Sequence, residues 1–210
     1  MHIHSFCFNP IQVNSYLLWD DDLNALIIDP GCYTDQEKHR LQQFIQSKNL
    51  VLKTILNTHL HFDHILGNSF VEKTYEVKSQ AHKEDLFLLN NLPLHARLFG
   101  VLAQEICEEP ATLLEEGATV ECGNLSLKAI HAPGHSPGSL AFYSEADKCL
   151  FPGDVLFKAS VGRSDLQGGN GSVLSSSLLK LMNLPDDTIV YPGHGPQTSI
   201  GYEKAHNPFL

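Results

Sequence analysis

Val13 to Trp19 forms an apolar and aromatic run that carries Asn14 and Ser15 within it. Asp20, Asp21, Asp22 and Asn24 interrupt it, and Ala25 to Ile28 resumes it as far as Asp29-Pro30-Gly31. This reads as a strand hairpin ended by a stop signal. The opening Met1 to Phe6 is already strand-like. Thr34 and Glu37 stand in the capping-box relation, and Leu41, Phe44 and Ile45 follow at helical spacing. A helix is therefore predicted to start at Thr34 and to close at Lys48-Asn49. Val51 to Asn57 reads as the next strand. Gly67 to Tyr75 reads as a short helix feeding a strand near Glu76 to Ser79. Lys83 to Leu102 has helical periodicity broken by Pro93. Strands are predicted again at Thr119–Glu121, Leu125–His131, Leu140–Tyr143, Cys149–Phe151 and Thr188–Tyr191, with a helix at about Val173 to Met182. Strands and helices in this order suggest an α+β sandwich, two packed sheets with helices outside, forming a single domain over residues 1–210.

Composition narrows the functional classes. Apolar residues make up 42% and charged residues 18%, so the chain is globular. The formal net charge of −10 argues against nucleic acid and acidic membrane surfaces as partners, which select excess Lys and Arg. No apolar run approaches the roughly 20 residues that span a bilayer. The five cysteines, Cys7, Cys32, Cys107, Cys122 and Cys149, form no C-x-x-C pair. They read as free thiols in a reducing compartment. With no leader pattern at the start, a cytoplasmic location is expected, as a monomer or small homo-oligomer.

Histidine changes the picture. Of twelve, three fall in Thr58-His59-Leu60-His61-Phe62-Asp63-His64, directly after a strand. His59 and His61 lie two apart, so extended backbone points them the same way. Asp63 and His64 follow once the chain turns, so they address a neighbouring point. One such pair of each kind suits two adjacent metal ions. Three more polar sets end predicted strands in Gly/Pro settings: Pro133-Gly134-His135-Ser136-Pro137-Gly138, Pro152-Gly153-Asp154 and Pro192-Gly193-His194-Gly195. Imidazole and carboxylate donors suit zinc, iron or manganese, and the lack of cysteine in these clusters argues against a closed structural zinc site. A bridging carboxylate such as Asp154 can hold two metals about 3.5–4 Å apart and so ionise a water with a pKa of roughly 7. His2, His4, His39, His82, His95 and His206 are read as surface or packing residues, and His131 as the end of a strand.

These residues carry a resemblance. His59-Leu60-His61-Phe62-Asp63-His64, His135, Asp154 and His194, with Asn14-Ser15-Tyr16-Leu17 and Asp29-Pro30-Gly31, resemble the metallo-β-lactamase-fold hydrolases along nearly the whole chain. The segments Ala132 to Gly138, Gly153-Asp154-Val155-Leu156-Phe157, Gly162-Arg163-Ser164-Asp165 and Pro192 to Gly195 are most similar to the short glyoxalase II-like (hydroxyacylglutathione hydrolase-like) group. The resemblance implies an αββα sandwich of two mixed sheets. It implies two divalent ions, zinc first, with iron or manganese as alternatives. His59, His61 and His135 would hold one, Asp63, His64 and His194 the other, with Asp154 bridging and Asp63 and Asp154 as catalytic carboxylates. The implied reaction is hydrolysis of a small thioester such as S-lactoylglutathione, by attack of a metal-bridging hydroxide on the carbonyl.

Departures from that group bear on the substrate. The chain ends at Leu210, sixteen residues after His194, so the C-terminal helical domain that completes the glutathione pocket of full-length glyoxalase II is expected to be missing. Arg163 falls at a basic glutathione-contacting position and is the substrate-binding candidate, or else the partner of Asp165. Asp165 stands where that enzyme has a tyrosine, so the substrate can be another thioester or ester. The rivals are a mononuclear-iron persulfide dioxygenase, which shares the Gly-Arg-Ser/Thr-Asp segment, and a lactone, ester or β-lactam hydrolase of the same fold.

Overall fold

In a computed structural model that describes residues 1–102 and 107–210, the chain forms two six-stranded sheets face to face, with helices on the outer faces. The first sheet is built from β1 (His2–Phe8), β2 (Val13–Trp19), β3 (Asn24–Ile28), β4 (Val51–Leu56), β5 (Ser79–Ala81) and β6 (Thr112–Leu113), in that spatial order. Its first three strands pair antiparallel, and β3 to β6 run parallel. The second sheet contains β7 (Thr119–Cys122), β8 (Leu125–His131), β9 (Leu140–Ser144), β10 (Cys149–Gly153), β13 (Ile189–Pro192) and β14 (Thr198–Ser199). A small hairpin, β11 (Leu156–Phe157) with β12 (Ser160–Val161), lies between β10 and β13 in sequence. Spatially the order is β14-β13-β10-β9-β8-β7, with β10 and β13 parallel and the other pairs antiparallel. The expected αββα sandwich of two mixed sheets is thus the fold.

The central strands β2, β3, β9 and β10 are buried on both faces, which is why they read as largely apolar runs, whereas β7 and β8 alternate buried and exposed positions. On β2, Tyr16 and Leu18 face the other sheet, where they meet Phe142 and Phe151. Leu17, between them, faces Leu41 and Ile45 of α1 (Asp35–Ser47). On the far side, Ala141, Tyr143 and Leu150 pack against Leu174, Leu178 and Leu181 of α5 (Gly171–Leu181). The expected capping box is present, with Glu37 N donating to Thr34 Oγ1 at 3.2 Å and Thr34 N to Glu37 Oε2 at 2.9 Å. The four cysteines other than Cys7 are buried, and all five are free.

Several expectations are corrected. The strand expected near Glu76–Ser79 is Ser79–Ala81, because Glu76 takes a left-handed conformation (φ 55°) that ends α3 (Asn68–Tyr75). Pro93 does not break a helix. Lys83–Asn91 is a 3-10 helix, and Pro93 sits in the first turn of α4 (Leu92–Leu98), where its missing N–H leaves no bond unmade. Residues 103–106 lie outside the described residues, beyond the end of that expected segment. Among the described residues no helix is long and apolar enough to cross a membrane.

Strand direction places the site. The parallel strands β3 and β4 both end at one edge of the first sheet, and β8, β10 and β13 end at the same edge of the second. The two sheets are tied there by main-chain bonds from Leu140 N to Thr58 O at 2.7 Å and from Asn14 N to Gly193 O at 2.7 Å. Asn14 Nδ2 also donates to Pro192 O and Gly195 O, and Tyr16 Oη to Pro192 O.

Candidate metal centre

Five histidines and two aspartates converge on that edge. His59 and His61 leave β4 in extended backbone. Asp63 and His64 lie on α2 (Phe62–Ile65), a single turn that redirects the chain. His135 comes from the loop between β8 and β9, Asp154 follows β10, and His194 follows β13. The donor atoms of His59, His61 and His135 lie within 4.8 Å of one another, and so do those of Asp63, His64 and His194. Asp154 faces both groups. Its Oδ2 is 3.7 Å from His135 Nε2 and 3.5 Å from His194 Nε2, and its Oδ1 is 3.4 Å from His64 Nε2.

The outer nitrogens are fixed by their neighbours, which aims the inner ones. His135 Nδ1 donates to Arg163 O at 2.8 Å, and His194 Nδ1 to Gln12 O at 3.1 Å. His59 Nδ1 lies 3.0 Å from Thr58 Oγ1, which donates to Asp29 Oδ2 at 2.6 Å. His64 Nδ1 lies 3.0 Å from that same Asp29 oxygen. The inward atoms are left without hydrogen-bond partners: His59 Nε2, His64 Nε2 and Asp154 Oδ1 are all buried and unpaired. His61 Nδ1 and His135 Nε2 face each other at 2.9 Å. Buried polar atoms are almost always paired, so buried nitrogen and oxygen atoms that converge without a hydrogen bond between them fit a cation site. The nitrogen and oxygen donors fit divalent transition metals.

Charge supports the same reading. Burial and the neighbouring His64 hold His59 well below the ordinary histidine range, and burial with His135 brings His61 down to about 3. Both rings are therefore neutral, as metal ligands must be. Burial opposes ionisation of Asp154, but His64, His194 and His135 outweigh it and hold the carboxyl well below its usual range. Burial likewise opposes ionisation of Asp63, and His64 and His194 again win. Burial opposes the charge on His64, yet Asp63, Asp154 and Asp29 hold it well above the ordinary value.

Glycine makes the approach possible. A Cβ on Gly193 would overlap Asp154 Oδ1 and come within 2.9 Å of His64 Cε1. Gly193 precedes His194, so the last strand can pass directly against the carboxylate.

A cavity of about 280 Å³ opens onto the cluster. His61, Asp63, His135, Asp154 and His194 form its floor. Leu88, His95, Leu98 and Phe99 line one side, and Arg163, Leu166 and Gln167 the other. His95, expected to be a surface or packing residue, therefore lines the cavity. It lies on α4, which the reading of Pro93 as a break obscured. Arg163 reaches the rim, and its guanidinium bonds both oxygens of Asp165, each at 2.7 Å. Other histidines lie away from the cluster: His2 stacks on Trp19, His4 on Phe44 and His206 on Tyr202. His131 ends β8 and stacks on the buried His82.

Two buried aspartates were missed as supports. Asp29 stands in the sequence as a strand-ending stop signal and within the Asp29-Pro30-Gly31 segment of the resemblance, and neither shows its supporting role. It sits at φ 49°, and its Oδ1 also accepts from Thr58 N at 2.7 Å. Asp85 was not singled out. Its Oδ2 accepts from Leu60 N at 3.2 Å and Ser136 Oγ at 2.7 Å, and its Oδ1 from Gly138 N at 2.6 Å. It thereby ties the His59–His61 segment to the His135 loop. The signal for Asp29 was a strand-ending Asp beside Pro-Gly. Asp85 left no signal beyond a carboxylate in the first turn of a helix, a common surface pattern.

Comparison with known proteins gives the family and the fold. The profile described as Metallo-beta-lactamase superfamily matches residues 8–194. Hydroxyacylglutathione hydrolase GloC of Haemophilus influenzae is 38% identical over 212 residues, covering 100% of this chain and 98% of that protein. The crystal structure of the B3 metallo-beta-lactamase BLEG-1 matches with a TM-score of 0.89 at 38% identity, covering 100% of this chain and 99% of that one. The crystal structure of TTHA1623 in a di-iron-bound form matches at 0.88 and 38% identity, covering 99% and 100%.

Proposed function

This chain belongs to the metallo-beta-lactamase superfamily and is a metal-dependent hydrolase of it, and from that premise we propose that it cleaves thioesters at a two-metal centre. The observation that carries the two-metal reading is the position of Asp154, with one oxygen toward His64 and the other toward both His135 and His194. Each donor group is complete on its own, which favours this reading over the mononuclear-iron oxygenase. His59, His61 and His135 would hold one ion, and Asp63, His64 and His194 the other, with Asp154 shared. Bound there, divalent ions supply Lewis acidity and lower the pKa of a water to roughly 7. The di-iron neighbour keeps iron open beside zinc and manganese.

The chain's own residues do the rest. Asp63 and Asp154 stay ionised at neutral pH and offset part of the charge of two cations. Asp29, Thr58, Gln12 and the main chain of Arg163 hold the rings so that little reorganisation accompanies the reaction. The cavity admits the acyl carbonyl directly above this floor. Water adds to the carbonyl carbon, the C–S bond breaks, and the products are a carboxylate and a thiol. Asp63, at the cavity floor, is the carboxylate assigned to take the proton released. GloC, named as a hydroxyacylglutathione hydrolase, makes S-lactoylglutathione the first substrate to try.

The test is a screen of protein reconstituted with zinc, iron or manganese against S-lactoylglutathione, other thioesters, lactones and glutathione persulfide. Thioester cleavage is expected. Oxygen uptake on the persulfide with one iron per chain, and no hydrolysis, would overturn the proposal.

A further inference from the structure

The cavity walls above the metal floor differ sharply from the floor. Ile11, Phe62, Leu88, Leu98, Phe99 and Leu166 line them. Phe62 and Phe99 bring their rings to 5.3 Å. Leu98 and Phe99 are 75% and 48% exposed, a large amount of apolar surface to leave beside an opening. Arg163 supplies the guanidinium among the described lining residues, and it is engaged by both oxygens of Asp165. In this structure that pair offsets the guanidinium's charge, and Arg163 is the one fixed cation among the described wall residues. A glutathionyl group carries two carboxylates and an ammonium, and where it lies along these walls it would exchange hydration for mainly apolar contact.

We propose that the cavity takes a small thioester or ester through an uncharged apolar group seated against Phe62, Leu98 and Phe99, and that these side chains set its substrate preference. For turnover this rests on the hydrolase reading above; for binding it stands on the walls alone. The apolar group is either the acyl chain or the thiol part, and each retains the same contact chemistry. A methylene moved from water into contact with such walls strengthens binding by up to about fourfold.

The experiment uses the metal-loaded full chain in two arms. The first measures kcat/KM for acetyl and hexanoyl thioesters of N-acetylcysteamine, hexanoyl glutathione and S-lactoylglutathione. Hexanoyl over acetyl by tenfold or more on the neutral thiol is expected, with Phe99→Ser and Leu98→Asn flattening that ratio. Hexanoyl glutathione falling well below hexanoyl N-acetylcysteamine is expected; the two matching would overturn the argument from the walls' lack of charge. A flat chain-length series, or S-lactoylglutathione ahead of every neutral thioester, overturns the proposal. The second arm measures binding of the ethyl and hexyl thioethers of N-acetylcysteamine by calorimetry. Hexyl binding tighter by tenfold or more supports the proposal even where no thioester is cleaved, a result that would sink the thioester reading alone. Equal binding of the two thioethers overturns the present inference.

Discussion

Asp29 Oδ2 lies 3.0 Å from His64 Nδ1, and that contact turns the opposite nitrogen of the ring toward Asp154 Oδ1 at 3.4 Å. The same carboxylate receives Thr58 Oγ1, which faces His59 Nδ1. One residue at the end of β3 thus orients one ring from each donor group.

Asp29→Asn should lower metal affinity by roughly 10- to 100-fold, the usual effect of removing a group that orients a ligand. The ion among Asp63, His64 and His194 should be lost first. Metal content after dialysis against a graded chelator series checks this. Unchanged affinity would show that His64 needs no such support.

Asp85→Ala should destabilise the fold by roughly 3 kcal/mol, because it strands Leu60 N and Gly138 N in a buried setting and leaves Ser136 Oγ only Ser139 Oγ as a partner. For a chain of this size that is a fall in Tm of about 6–12 °C. Asp85→Asn, which keeps two acceptor lone pairs, should cost less. Thermal unfolding of the three proteins measures the difference, and equal Tm values would remove Asp85 from the account.

Asp63→Ala should collapse hydrolysis while the fold survives. The loss should exceed the 10- to 100-fold typical of residues that only support ligands. Steady-state kinetics with far-ultraviolet circular dichroism separates the two effects. Unchanged turnover would defeat the assignment of Asp63.

Metal binding should strengthen as pH rises from 6 to 8. Burial opposes protonation of His64 and His194, but the Asp63 and Asp154 carboxylates raise both above the ordinary histidine value. In the metal-free protein these rings hold protons that an ion must displace, so lower pH favours the proton and higher pH the metal. His59 and His61, already neutral, contribute no such dependence over this range. Each displaced proton is worth up to about tenfold in affinity per pH unit. Calorimetry in buffers of different ionisation enthalpy reads the released protons directly; none released would contradict the charge assignment.

Much of this centre was legible along the chain because its ligands come in compact, strand-ending segments. The segment from His59 to His64 declares its own spacing, and the Gly/Pro settings of His135, Asp154 and His194 mark where backbone must pass close. The layers were legible too, since runs such as Val13–Trp19 only make sense buried on both faces. What was hidden depends on contacts between distant segments. Asp85 supports the site through donors 25, 51 and 53 residues away, which no local pattern carries. The pairs Leu156–Phe157 and Thr198–Ser199 are too short for any periodicity to show as strands. His95 lines the cavity from α4, which follows the 3-10 helix Lys83–Asn91, a change of helix type that periodicity does not show.

The central claim is that two ions share Asp154, and anomalous diffraction from crystals grown with zinc, iron or manganese tests it most directly. Two peaks per chain are predicted, one among His59, His61 and His135 and one among Asp63, His64 and His194, both within bonding reach of Asp154. A single peak, or the seven side chains turned apart with no ion between them, would contradict it.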